Sequence, residues 1–544
     1  MQKYKIMALT KALSFQKLYF FLSILILKHF KTPQKNNREN TNNNNNNAAS
    51  QFGFHRFQIL AQNQDLKDRI LIFNVEKALL RSSSLFPYFM LVAFEAGSII
   101  RALILFLLYP FIALLPEDFA LKIMVMISFF GLNKERFREG RAVLPKFLLE
   151  DVGMESFETL RRGKKAVAVS ELPQVMIESF LRDYLDIDCV FGKEMKVFCG
   201  YFVGLMEERR ELIVQDNVLH VLEMNYDVIG ITGFKGSFDY QWFSCCKEIY
   251  MVNEQERKNW QQLPRHLYPK PLIFHDGRLA FKPTFLAALA MFMWLPLGVT
   301  LGMIRIIVAL TLPFEISIPI MHFTGIKIRT LNPPTKRKNN KSKNILYVCN
   351  HKTLLDPVAV SYATRSHLTA VTYSLSRMSE IISPIKTIRL SRNRDKDAEL
   401  MDQLLSQSDA VVCPEGTTCR EPYLLRFSPL FSEIRNEVSP VALNCHVSMF
   451  YGTTARGMKF MDPLLFLINP WTRYSVCFLD VVRCDKNTRG DYCDYDDNSK
   501  FKVANLVQNK MAKALGFTCT KLTRKDKYLI LAGNEGIVTH GNAR

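Results

Sequence analysis

Asn350-His351-Lys352-Thr353-Leu354-Leu355-Asp356-Pro357 sets a histidine five residues before an aspartate. Pro414-Glu415-Gly416-Thr417-Thr418-Cys419-Arg420-Glu421-Pro422 follows about sixty residues later. A histidine held by a carboxylate takes a proton from an alcohol. A Gly-Thr turn followed by an arginine offers amide, hydroxyl and guanidinium donors to a phosphate. Together the two stretches point to a phosphorylated polyol as substrate.

Such chemistry needs the two side chains brought together. The apolar run Ile345 to Cys349 predicts a short buried strand ending at His351. An offset of five residues is roughly 500° of helical rotation, so His351 and Asp356 would not share one helix face. A helix starting at Pro357 with Asp356 as its N-cap meets the requirement, because the intervening turn folds His351 back onto Asp356. The carboxylate then fixes the imidazole tautomer and stabilises the imidazolium, and no protein nucleophile is needed. The plainer alternative is a capping aspartate and a solvent-facing histidine. Val411 to Cys413 reads as a second strand, and Pro414 to Thr418 as the tight turn at its end. Between them, Ile385 to Arg394 alternates apolar and basic residues. Arg389, Arg392 and Arg394 there are either ligands or a solvated charge run.

With these blocks in this order, the chain resembles the glycerolipid acyltransferase superfamily, and more closely the land-plant glycerol-3-phosphate acyltransferases with an N-terminal phosphatase-like domain. The resemblance covers about residues 320 to 520, including Ser439-Pro440-Val441-Ala442 as a fourth block. It implies His351 as general base, Asp356 as its orienting partner, and Arg389, Glu415, Gly416, Thr417 and Arg420 as the holders of glycerol phosphate. It also implies a membrane-bound acyl-CoA:glycerol-3-phosphate O-acyltransferase forming lysophosphatidic acid, with sn-2 preference, in glycerolipid or extracellular lipid polyester (cutin or suberin) synthesis. Acyl-CoA is then a substrate, and no cofactor or metal is expected. A lysophospholipid acceptor and a non-catalytic membrane scaffold are the alternatives.

Residues 66 to 255 resemble a haloacid-dehalogenase-like phosphatase domain, with Ile70-Leu71-Ile72-Phe73 as its first strand. Such enzymes need D-x-D-G-T next, the first aspartate attacking phosphorus and the second serving as acid and base. Asn74, Val75, Glu76, Lys77 and Ala78 stand there instead. Lys235 falls where a magnesium-binding aspartate belongs, and only Asp239 remains. Ser170, after the strand Ala166 to Val169, is a candidate phosphate-binding hydroxyl. The expectation is a degenerate domain without phosphatase activity.

A chain of 544 residues holds two or more domains. The expected class is α/β: an acyltransferase core, an N-terminal phosphatase-like α/β domain, and hydrophobic membrane segments. The expected organisation is a basic N-terminal segment with an Asn-rich linker (1–65), the phosphatase-like domain (66–255) with an apolar insertion at about 85–130, membrane segments (281–314), the acyltransferase domain (320–520) and a basic tail (521–544). Thr284 to Ile304 carries no charge and is long enough to span a bilayer, although Pro296 also permits a broken or re-entrant hairpin. Leu85 to Phe130, interrupted by charges and prolines, suits an amphipathic or hairpin membrane element. The net charge of +20 raises the question of nucleic acid. Zinc-finger spacing, RNA-binding aromatics and a basic helix are all missing, so nucleic acid is excluded. The bases Lys327, Arg329, Lys336, Arg337, Lys338, Lys341 and Lys343 instead flank the apolar segment, as on a cytosolic membrane face. An endoplasmic reticulum membrane, or a mitochondrial one, with a cytosolic active site is expected. Twelve cysteines without C-x-x-C read as free thiols, and Cys413 as core packing. The sequence leaves the oligomeric state open.

Overall fold

The computed structural model describes residues 54–62, 66–187, 189–207, 227–233, 242–243, 246–334, 344–373, 375–391, 393–434, 437–483 and 501–535. The N-terminal basic segment, Asn42 to Asn47, Lys235 and Asp239, and the cluster from Lys336 to Lys343 lie outside the described residues.

The N-terminal domain is built on a six-stranded sheet. Its strands are β1 (Phe54–Arg56), β2 (Ile70–Asn74), β3 (Lys165–Pro173), β4 (Cys189–Lys193), β7 (Val228–Thr232) and β8 (Glu248–Met251), in the order β1-β8-β7-β2-β3-β4 with every pairing parallel. β5 (Met195–Phe198) and β6 (Tyr201–Met206) form a separate hairpin. All five residues of β2 are buried, as its unbroken apolar run requires of a central parallel strand. The sheet begins earlier than expected, since β1 precedes residue 66 and pairs with β8. Within the apolar insertion, α1 (Ile99–Ile112) and α2 (Glu117–Phe129) form the hairpin, turning at Pro116.

A long helix, α3 (Phe285–Thr311), and the shorter α4 (Phe314–Phe323) lead into the second domain. Its sheet runs β12 (Thr387–Arg389), β11 (Thr369–Thr372), β13 (Ala410–Val412), β10 (Leu346–Cys349), β15 (Glu437–Val447), β16 (Thr472–Phe478) and β9 (Ile326–Leu331). β14 (Tyr423–Leu424) pairs with β18 (Thr518–Cys519), and β17 (Val482–Arg483) pairs with β15. The five strands from β12 to β15 are parallel, so their carboxyl ends share one edge. Turns beyond such an edge are where open α/β sheets place their ligands. β10 is central, which puts His351 in the middle of that edge. The fourth block, Ser439 to Ala442, is part of β15 and pairs with β10.

Two expectations are corrected. The helix α5 (Asp356–Thr364) starts one residue earlier than expected, with Leu355 as its N-cap and Asp356 in the first turn. Helix α6 (Asp462–Ile468) lies between β15 and β16, and the segment expected as a basic tail contains α7 (Arg524–Ala532), which docks against the turn after β13. A Thr523–Asp526 capping box begins it.

Candidate active site

Asp356 is fully buried. Its Oδ2 lies 3.1 Å from His351 Nδ1 and accepts the backbone N–H groups of Lys352 at 2.5 Å and Thr353 at 2.8 Å. Its Oδ1 accepts the Thr353 hydroxyl at 2.9 Å, and that hydroxyl meets the Tyr474 hydroxyl at 2.6 Å. The carboxylate therefore grips the turn before its own helix, where donors face it, and leaves the helix uncapped by a side chain. This cage fixes both the turn and the imidazole plane. Charge-assisted bonds of this kind are about twice as strong as neutral ones.

Cys413 also interacts with the His351 side chain, and the Cys413 and Cys349 sulfurs are 3.4 Å apart. Burial opposes charge on His351, but Cys413 and Asp356 outweigh it, and the imidazole pKa lies well above its ordinary value. The neighbouring Cys349 sulfur and burial push the Cys413 thiol well up in turn. Cys413 reaches the site as well as the core, which the apolar strand pattern did not reveal.

The turn after β13 is held from three directions. Glu415 is buried, and its two oxygens accept the backbone N–H groups of His351 at 2.7 Å and Leu425 at 2.9 Å. Burial raises its pKa to about 7. Lys527 of α7 donates to the Thr418 carbonyl at 2.6 Å and to its hydroxyl at 2.9 Å, and lies 3.3 Å from the Thr417 hydroxyl. Burial lowers the Lys527 pKa to about 8. Gly416 has φ +64°, and a side chain there would point into open space. Of the residues expected to hold phosphate in this turn, Gly416 alone lines the cleft described below; Glu415 and Thr417 are engaged by the protein.

Arg420 departs furthest from expectation. Its guanidinium is buried, contacts the Thr453 carbonyl, lies 3.7 Å from Asp276, and stacks 4.1 Å from the Tyr451 ring centroid. The fork expected for phosphate is occupied by the Thr453 carbonyl of its own domain and by Asp276 of the segment joining the two domains. The adjacent Glu421 lies 2.9 Å from His275 Nε2 and contacts Arg265. Burial alone would raise the Glu421 pKa, yet the nearby His275 and Arg265 bring it to about 2, while burial drives His275 down to about 4. The pair is thus a carboxylate with a neutral imidazole. Neither His275 nor Asp276 carried any local signal in the sequence. Arg389, at the end of β12, is half exposed; its Nε approaches Glu380 at 2.5 Å and its NH2 group donates to the Leu375 carbonyl at 2.8 Å.

His351, Cys413 and Gly416 lie along a cleft enclosing about 1380 Å³, mouth included. Ile306 and Ala309 of α3, Met321 of α4, Val358 of α5 and Phe466 of α6 help form its walls, and Leu375, Ser379 and Thr387 place it beside Arg389. The lining is that of an alkyl-chain site with a polar end.

A family model described as "Glycerol-3-phosphate acyltransferase RAM2-like, HAD-like domain" matches residues 70–252, and one described as "Acyltransferase" matches residues 331–444. "Probable glycerol-3-phosphate acyltransferase 3" of Arabidopsis thaliana is 55% identical over 483 residues, which are 87% of this chain and 92% of the relative. The chain belongs to the plant glycerol-3-phosphate acyltransferase family. "Glycerol-3-phosphate acyltransferase 1" of Arabidopsis thaliana is 46% identical over 83% of this chain and 78% of its own length. "Glycerol-3-phosphate acyltransferase RAM2" of Petunia hybrida is 39% identical over 86% and 97%. Within this family the present chain carries an acyltransferase domain behind a phosphatase-like one.

In the N-terminal domain Asn74 ends β2, where the resemblance led to an expectation of an aspartate. The Asn74 side chain caps the following turn by accepting the Lys77 N–H at 3.0 Å. Ser170, expected as a phosphate-binding hydroxyl, instead contacts Glu76, whose Oε1 also accepts the Leu172 N–H at 3.2 Å. Burial raises the Glu76 pKa to about 7. Lys77 lies 3.8 Å from Glu171. A carboxyl group now sits on the donors that a phosphate would use.

Proposed function

We propose that this acyltransferase moves an acyl group from acyl-CoA to a hydroxyl of glycerol 3-phosphate and releases lysophosphatidic acid with its phosphate intact. The observation that carries the reading is the His351–Asp356 pair at the polar end of an apolar cleft. His351 takes the proton from the glycerol hydroxyl. The oxygen attacks the thioester carbonyl, the tetrahedral intermediate collapses, and the imidazolium proton leaves with the CoA sulfur. The acyl chain lies in the cleft between α3, α4 and the sheet. Arg389 supplies the cation for the phosphate, because its half-exposed guanidinium can turn toward the cleft while Arg420 is committed elsewhere. Glycerol 3-phosphate as acceptor is supported by the names of the relatives. Membrane association is supported by α3, whose 27 residues are long and apolar enough to cross a bilayer. A cytosolic face of the endoplasmic reticulum suits a substrate carried by CoA.

The test is purified protein supplied with labelled glycerol 3-phosphate and long-chain acyl-CoA, with the lipid products separated and free phosphate followed. Lysophosphatidic acid is expected, with His351→Ala as the blank. Transfer no faster than that blank overturns the reading. Monoacylglycerol formed as fast as the acylated phosphate overturns the retention of phosphate.

A further inference from the structure

Helix α1 is apolar on both faces. Ala102, Leu105, Phe106 and Ile112 pack inward, while Ile100, Leu103, Ile104, Leu107, Leu108 and Phe111 form an outward stripe, with Ile100 67% and Phe111 69% exposed. The outward stripe of a helix in water is ordinarily polar. Arg101 is the single charge in α1, and its guanidinium is turned back to donate to the Ser128 carbonyl at 3.0 Å. Phe119 on α2, Phe130 just beyond it and Phe198 in the β5–β6 hairpin are also strongly exposed.

This face continues into α3. Phe106 stacks on Phe285 at 5.0 Å between centroids and meets Phe292 at 5.2 Å, so α1 and the start of α3 lie side by side. On α3 the outward residues Leu286, Met293, Leu297, Ile304 and Ile307 are again apolar. The opposite face of α3 is tied to the acyltransferase domain. Trp294 donates to the Ile468 carbonyl, Arg305 donates to the Leu467 and Asn469 carbonyls, and Gly298 and Gly302 pack on Ile468. A helix bound along one side to a globular domain meets lipid only on the other. Three stretches far apart in sequence, the α1–α2 hairpin, the β5–β6 hairpin and α3, thus present one apolar surface, of the kind that marks a docking site.

We infer that the outer face of the α1–α2 hairpin inserts into the same membrane leaflet as α3, so that the degenerate phosphatase-like domain serves as a membrane dock. This rests on the proposed membrane seat of the enzyme and adds a second element to it. Lipid, and not a second copy of the chain, is the occupant, because α3 and α4 also wall the cleft that leads to His351. A protein partner seated there would shut the cleft. Fluid hydrocarbon leaves it open to acyl chains and product.

The experiment uses the full chain reconstituted with phosphatidylcholine–phosphatidylserine vesicles, some containing chain-brominated phosphatidylcholine. An environment-sensitive fluorescent amino acid replaces Phe111, Leu297 or the exposed Lys258 in turn. Emission from positions 111 and 297 should shift to the blue and be quenched by the bromines, while position 258 stays aqueous. Quenching at 297 with an aqueous signal at 111 overturns the dock and leaves the membrane seat of α3 standing. Loss at both positions removes the membrane seat as well. Shielding at 111 without bromine quenching identifies a second copy as the occupant and also overturns the inference. Independently, the combined variant Ile100→Asp, Leu107→Asp, Phe111→Asp should bind vesicles severalfold more weakly and keep its acyl transfer in detergent; unchanged vesicle binding overturns the proposal.

Discussion

Glu415 holds the backbone of His351: one carboxylate oxygen accepts the His351 N–H at 2.7 Å and the other accepts Leu425 N–H at 2.9 Å. Glu415→Ala leaves two buried donors unpaired, a cost of about 1–3 kcal/mol each. Glu415→Gln keeps an acceptor for one of them. Thermal melting should rank wild type above Gln above Ala, with acylation falling in the same order. Burial raises the Glu415 pKa from 4.5 to about 7, so its protonated form is favoured on folding. The stability this contributes is complete below the unfolded value and is lost as pH rises through about 7. Melting of Glu415→Gln across that window should show a flatter pH dependence than wild type.

His351→Ala should reduce acyl transfer by roughly 10²- to 10⁴-fold, the usual worth of a general base. The fold should survive, because the ring is held at the edge of a cleft. Cys413 and Asp356 together raise the His351 pKa against burial, so the acid limb of the rate profile should lie above that of an ordinary histidine. In Asp356→Asn the residual rate should be low and its acid limb should move to lower pH. A limb that stays in place would assign the titration to another group.

Arg420 and Asp276 belong to one buried network, so their variants should not be additive. In a double-mutant cycle Arg420→Lys and Asp276→Asn should couple by about 0.5–3 kcal/mol of stability. Both substrates should be affected alike in Arg420→Lys. Arg389→Ala should instead raise the KM for glycerol 3-phosphate and leave that for acyl-CoA nearly unchanged, as initial-rate measurements at varied substrate would show.

Asn74→Asp should not release phosphate from lysophosphatidic acid. Glu76 occupies the donors of Ser170 and Leu172, and Lys77 sits beside Glu171. A phosphate-release assay with magnesium should read at background for both wild type and variant.

The strands that carry the site were legible because each is a short apolar run stopped by turn residues: Leu346 to Cys349 before Asn350, and Ala410 to Val412 before Pro414. The spacing allowed the turn back from His351 to Asp356 but equally allowed a capping aspartate and a solvent-facing histidine. The aspartate's choice of donors was not legible, because either the first turn of its own helix or the preceding loop could supply N–H groups. Arg420 misled for a different reason. An arginine beside a Gly-Thr turn has the right chemistry for phosphate, and its burial against Asp276 depends on a residue 144 positions earlier. Lys527, 109 positions from Thr418, was hidden in the same way inside a stretch that reads only as basic.

The paired sulfurs of Cys349 and Cys413 bear on how inhibition should be interpreted. They lie at the ends of neighbouring parallel strands, and Cys413 interacts with the His351 imidazole. A maleimide or an oxidant reaching Cys413 would wedge bulk against His351 and abolish turnover without any thiol having attacked the thioester. Sensitivity to thiol reagents is therefore no sign of a covalent acyl-enzyme here. Preparations that lose activity in air would regain it with a reductant, and a Cys413→Ala protein that is active yet indifferent to the reagent would separate obstruction from chemistry.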